Sequence, residues 1–184
     1  MGLVFGKTDY KGSFPVFWRG EAKVLPGDFK LTDDLPEGTV VKKGTPIKID
    51  FANMQATLCK AIKVVTGGST TKPRIEKGSH IAVSDEVGST TVSSIDSSNA
   101  DYDELTLAAT ESTATAGAVL GVGDNEPNAV VEKDVTIKKN MGFSTVSAAF
   151  EVVVLRDVAY PVPDSWLVNG MCLNTNHSIK YIRQ

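Results

Sequence analysis

At 184 residues the chain is long enough for one ordinary domain carrying an arm and short for two complete ones. Its 41% apolar and 22% charged residues exclude a disordered chain or a fibrous repeat, and two cysteines are too few for a disulfide mini-protein. A net charge of −3 with no Lys/Arg block leaves no electrostatic footprint for nucleic acid, so no nucleic-acid partner is expected.

Residues 1–20 read as an N-terminal arm, followed by a single β-rich domain over 21–184. The opening MGLVFGKTDYKG has no basic stretch followed by an apolar one, so no signal peptide is expected, and Gly6 breaks the myristoylation pattern. SFPVFWRG (13–20) concentrates Phe14, Phe17 and Trp18 with Pro15 and Arg19. Aromatics with Arg are the usual anchors of protein interfaces, which makes Phe14, Phe17, Trp18 and Arg19 candidate interface residues. The alternative is that they fold back onto their own core.

From there on, Gly, Pro, Asn and Asp punctuate segments rich in Val, Ile and Thr, the signature of many short strands. Strands are predicted at 21–25, 45–50, 56–65, 80–85, 90–96, 103–109, 128–137, 143–157 and 178–182. Phe51, Met54, Leu58, Ile62 and Val65 also fall at helical spacing, so an amphipathic helix entered at Asp50 competes with the strand at 56–65. In the long segment 143–157, Val146, Ala148, Phe150, Val152 and Val154 form the apolar face. The longest apolar runs, such as Val152 to Leu155, fall far short of the roughly 20 residues a bilayer core requires, so no membrane span is expected. Asp164 to Gly170 reads as one helical turn, capped by Asp164 and ended by Gly170. The fold class is therefore all-β: a compact barrel or sandwich of short strands, with an extended N-terminal arm and one short helical turn near the C-terminus.

An internal echo stands out. VKKGTPIKI (41–49) and IEKGSHIAV (75–83) share one pattern, and AGAVL (116–120) is a weaker copy. Gly44, Gly78 and Gly117 are expected to supply a positive φ at a turn, after which the chain enters a strand. AYPVPDSW near the other end is an extended, semi-rigid segment, and its Tyr160 and Trp166 join the candidate interface residues.

Catalytic chemistry leaves no signature. His80 and His177 lie far apart and outside any metal or triad motif, and read as surface or satisfied histidines. Cys59 and Cys172 read as small buried hydrophobes. The acids of DSSNADYDE (Asp96, Asp101, Asp103 and Glu104) lack the glycine and distant glutamate of a calcium loop, and read as turn residues. No catalytic residue, cofactor or metal is assigned.

The order of features is EGTVVKKGTPI, ATLCKAIKVV, IEKGSHIAV, TTVSSIDSSNADYDELTL, SAAFEVVVLRD and a closing YPVPDSWLVNG with HSIKYI. It resembles the head decoration (auxiliary capsid) or head-fibre proteins of tailed bacteriophages, especially those infecting Bacteroidetes. The resemblance runs from about residue 20 to the end, and its most specific pieces are the SIDSSNADYDELTL hairpin and the Pro-rich link into the last strand. It implies a non-enzymatic virion component on the capsid exterior, made in the host cytoplasm. Its partners would be the major capsid protein, lattice neighbours or copies of itself in a small oligomer, and a head-fibre protein. Under this resemblance Phe14, Phe17 and Trp18 anchor the chain on the shell. Two other readings stay open: a carbohydrate-binding β-sandwich or fibre base stacking sugars on Trp18, Trp166 and the tyrosines, and an enzyme built on the DYDE acids.

Overall fold

The computed structural model describes residues 22–138 and 144–183. Its first strands are β1 (Lys23–Val24), β2 (Phe29–Leu31), β3 (Val40–Val41), β4 (Pro46–Asp50), β5 (Gln55–Leu58) and β6 (Ala61–Val65). There follow β7 (Arg74–Glu76), β8 (Glu86–Val87), β9 (Thr90–Asp96), β10 (Tyr102–Leu107) and β11 (Val119–Gly121). The last third holds β12 (Ala129–Val131), β13 (Val135–Thr136), β14 (Thr145–Val146) and β15 (Ala148–Leu155). A 3-10 turn at Asp164–Trp166 then precedes β16 (Leu167–Val168), β17 (Cys172–Leu173) and β18 (Ile179–Ile182).

Two small barrels organise these strands. The path β14-β2-β5-β4-β12-β15 returns to its own start, because only Ser147 separates β14 from β15. Its interior is filled by Phe29, Leu31, Ile47, Ile49, Ala56, Leu58, Val131 and Val146. The second path, β11-β6-β7-β10-β9-β8, is closed by a bridge between Val87 and Val122. Ile62, Val64, Ile75, Val92, Leu105 and Leu107 fill that one. Closure leaves few open edges, which is how small all-β folds avoid edge-to-edge association. The barrels share one chain segment, since β5 belongs to the first and β6 to the second, with Cys59 and Lys60 at the crossover. A two-stranded ribbon of β3 and β13 stands beside the first barrel.

A third core seals the seam. Beyond the first barrel β15 continues into β18, β17 and β16, with β15 and β18 parallel. Cys59, Ala61, Val130, Ala149, Val152, Val154, Trp166, Leu173, Ile179 and Tyr181 pack there together. Each fully buried Val, Leu or Ile contributes about 1.5–3 kcal/mol relative to exposure, so this seam is a substantial part of the fold.

β15 serves two cores because it carries a bulge. Lys23 faces Glu151 and Val24 faces Ala149, which leaves Phe150 as an extra residue. Val146 and Ala148 before it point into the first barrel, whereas Ala149, Val152 and Val154 point into the seam. Simple alternation placed Phe150 on the apolar face, but the bulge turns it outward, and it is 41% exposed.

Several other expectations need correction. The segment 56–65 is neither one strand nor a helix: it is β5 and β6, broken at the crossover. Asp50, the N-cap of the competing helix, caps a turn instead, accepting from the Ala52 and Asn53 backbone N–H groups at 2.9 and 3.2 Å. Residues 80–85 form no strand, because His80 and Ser84 adopt φ of 57° and 74° and the Asp85 carboxylate accepts from the Ala82 N–H. The segment 128–137 divides into β12 and β13. The helical turn ends at Trp166, and Asp164 makes no side-chain cap, binding Arg156 at 2.6 Å instead. Gly170, with Asn169, forms the positive-φ turn of the β16–β17 hairpin (φ 68° and 53°), the Asn-Gly pairing that suits a tight hairpin. The echo glycines behave as expected, with φ of 83° at Gly44, 90° at Gly78 and 88° at Gly117.

Candidate functional site

The two strongest copies of the echo meet in space. Lys42 and Lys43 of one turn, and Glu76, Lys77, Gly78 and Ser79 of the other, line a cleft of about 290 Å³. Val40, Val158, Ala159, Tyr160 and Pro161 give it an apolar wall, and Asp134 completes it.

Each turn is held from outside itself. In the first, the Gly44 N–H donates to Val131 O at 2.7 Å and the Lys43 N–H donates to the Asp134 carboxylate at 2.7 Å. In the second, Ser79 is buried and its carbonyl accepts from the Tyr160 hydroxyl at 2.8 Å. That hydroxyl also accepts from the Ala61 N–H at 3.1 Å. Tyr160 thus satisfies a backbone donor where the chain leaves one barrel for the other. Burial pushes its phenol well above the ordinary range, so it remains a protonated donor.

Charge around the cleft is mixed with a cationic excess. Glu76 pairs with Lys63 at 2.6 Å, Asp134 with Lys42 at 3.4 Å, and Lys77 with Asp103 at 2.7 Å. A more enclosed group lies behind the wall. Lys60 and Asp85 form an ion pair at 3.0 Å with side chains 16% and 23% exposed. Desolvation pushes the nearby His80 imidazole down, helped by Lys60, and pushes the Asp33 carboxyl up against the opposing hydrogen bond from the Leu58 N–H. Burial lifts the Cys59 thiol to about 12, so it is an unreactive apolar residue at physiological pH. Cys59 and Cys172 are both free, the first buried as expected and the second half-buried.

The residues singled out from the sequence have varied fates. Phe14, Phe17, Trp18 and Arg19 lie outside the described residues. Trp166 is 5% exposed, a seam residue packed so closely to Gly121 that an added Cβ there would stand 3.5 Å from its indole, and it offers no face to a sugar or a partner. Tyr160 is half-buried, with its hydroxyl engaged as above, and it lines the cleft. The acids of the β9–β10 hairpin act locally: Asp96 accepts from the Ser98 N–H, Asp103 pairs with Lys77 and Glu104 with Arg74. Arg74 also lies 4.5 Å over the Tyr102 ring, covering one face of it. His177 is exposed. Among the described residues no group of three or more His, Cys, Asp or Glu is placed to hold a metal ion, and no helix is long and apolar enough to cross a membrane.

Sequence reasoning found the two turns and missed that they face each other. Val40 and Val158 gave no signal of this wall, since a two-residue strand and a lone turn valine are too short to carry a period. No family model, no curated protein and no solved structure matches the chain.

Proposed function

We propose that this chain is a non-enzymatic virion structural protein that binds the outer surface of an assembled capsid, cementing or decorating it. The observation that carries the reading is the use made of four polar side chains largely withdrawn from water, Asp33, Glu111, Asn128 and Asn176: they fix backbone. Asp33 holds the Leu58 N–H, Asn128 pairs with both the N–H and the carbonyl of Ile49, and Glu111 holds the loop at Ser89 and Thr113. Asn176 ties Asn128 O to Phe150 O. Such a molecule presents a rigid shape, and a rigid shape suits repeated docking on a lattice. The resemblance of its strand and turn order to phage head proteins supplies the partner, the major capsid protein, with a head-fibre protein or neighbouring copies as further contacts. A protein that binds the assembled shell better than the free subunit stabilises the shell by mass action, and many modest contacts add through multivalency. In this proposal Phe14, Phe17, Trp18 and Arg19 anchor the arm.

The test is co-sedimentation of purified protein with undecorated capsids, with the capsid melting temperature followed alongside. Saturation at a fixed ratio to lattice sites with a raised melting temperature is expected. A variant lacking residues 1–20 should remain folded and lose binding; full occupancy by that variant would overturn the anchor, and absence of binding by the intact chain would overturn the proposal.

A further inference from the structure

The cleft between the two lysine-bearing turns is a docking site whose chemistry selects its occupant. We infer that it receives an extended acidic segment of a partner protein, with one apolar side chain of that segment seated against Val40, Val158 and Pro161. The inference rests on the capsid-binding reading and names the contact it would use.

Charge complementarity selects the occupant's sign. Lys42, Lys43 and Lys77 face the cleft against Glu76 and Asp134. Both of those carboxylates already accept from cations or N–H groups, Glu76 from Lys63 and Asp134 from Lys42 and the Lys43 backbone. Lys77 is held by Asp103, whose side chain is only 15% exposed, whereas the Lys42–Asp134 pair is open to water on both sides, with side chains 45% and 53% exposed. Ion pairs this open to water are worth about 0–1 kcal/mol, so an incoming carboxylate can take over a lysine at little cost.

The wall selects peptide over sugar. Saccharide sites stack the ring on an exposed aromatic face and surround it with uncommitted hydroxyl and amide groups. Here the aliphatic groups of Val40, Val158, Ala159 and Pro161 dominate, and the Tyr160 hydroxyl is committed to Ser79 and Ala61. A volume of about 290 Å³ accommodates an amino-acid side chain and adjoining backbone. Both turns are fixed before any ligand arrives, which lowers the ordering cost of binding.

The experiment is calorimetric titration of the full chain with the peptide acetyl-Asp-Phe-Glu-Leu-Asp-amide, its basic counterpart acetyl-Lys-Phe-Lys-Leu-Lys-amide, and a sulfated oligosaccharide of comparable charge. Saturable binding of the acidic peptide alone is expected. It should weaken roughly tenfold or more in the double variant K42E/K77E. Val158→Trp provides a second reading, because Val158 is 40% exposed and outside the buried core clusters, so a larger side chain there fills the cleft while leaving every lysine and carboxylate of its lining in place. It should lose peptide binding while keeping the wild-type melting temperature. Equal binding of both peptides, preference for the oligosaccharide, or unaltered binding by Val158→Trp would each overturn the inference. Capsid co-sedimentation separates the two proposals: Val158→Trp decorating shells as the wild type does would overturn the cleft alone. Peptide binding by a chain that ignores shells would support the cleft and overturn the capsid reading.

Discussion

Glu111 is a buried carboxylate satisfied without a cation, 4% exposed in the loop after β10. The Ser89 N–H and hydroxyl donate to one oxygen at 2.8 and 2.9 Å, and the Thr113 N–H and hydroxyl donate to the other at 3.1 and 2.6 Å. The Ser89 backbone bond, followed by those from Thr113, holds its pKa near 2 against an ordinary 4.5. Gly88 is required beside it, for a Cβ there would run into the carboxylate and φ is +59°. Because the folded state holds the proton less tightly than the unfolded chain, this group stabilises the fold fully above about pH 4.5, and the contribution is lost as pH falls toward 2. Glu111→Gln turns an amide N–H₂ toward groups that are themselves donors. It should cost about 1.5–3 kcal/mol at neutral pH, in the range of hydrogen bonds to charged groups. It should also flatten the acid limb of stability, so denaturant melts at pH 7 and pH 3 would differ less in the variant; equal slopes in variant and wild type would refute the assignment.

At the scale of elements, the junction of β12 and β18 along β15 depends on one side chain. Asn176, 7% exposed, donates from Nδ2 to Asn128 O at 2.9 Å and to Phe150 O at 2.8 Å, while its Oδ1 accepts from the Ser178 N–H at 3.0 Å. Asn176→Ala leaves these buried groups without partners and should cost about 1–3 kcal/mol. Amide hydrogen exchange should quicken first at Ile179–Ile182, which docks on β15 through that junction. Phe150→Ala, at an exposed bulge position, should stay within about 0.5 kcal/mol. A larger loss for Phe150→Ala than for Asn176→Ala would contradict the bulge. These elements also show how far the sequence was legible. β9 was predicted at its observed bounds, 90–96, because Thr90, Thr91, Val92 and Ile95 are β-branched and turn residues, Gly88 before and Ser97 to Asn99 after, bound the run. β3, β13, β16 and β17 are two residues each, too short to carry a period, and the bulge at Phe150 reverses a face without any local mark. The cleft was legible only as its parts: glycine chemistry announced the turns at 44 and 78, whereas their meeting depends on how two barrels close.

The whole molecule is two barrels joined by one chain segment and a seam, so its cooperativity depends on that seam more than on either interior. Trp166 occupies the middle of it, in the same cluster as Val152 and Val154 of β15, and its indole lies against Gly121 of the second barrel. Truncating a buried Trp to Ala typically costs about 3–5 kcal/mol through lost burial and the cavity left behind. Here the loss falls on the contact between barrels and leaves both interiors, around Ile47 and Leu105, untouched. The wild type is therefore expected to unfold in a single calorimetric transition with equal calorimetric and van't Hoff enthalpies, the mark of one cooperative unit. Trp166→Ala should lower that transition and broaden or split it, as each barrel begins to melt on its own stability. Hydrogen exchange would localise the effect, with amides of β11 and β16 opening before those of β4 or β9. A single sharp transition at the wild-type temperature would show that the barrels are coupled through the β5–β6 crossover alone, and that the seam contributes packing without cooperativity.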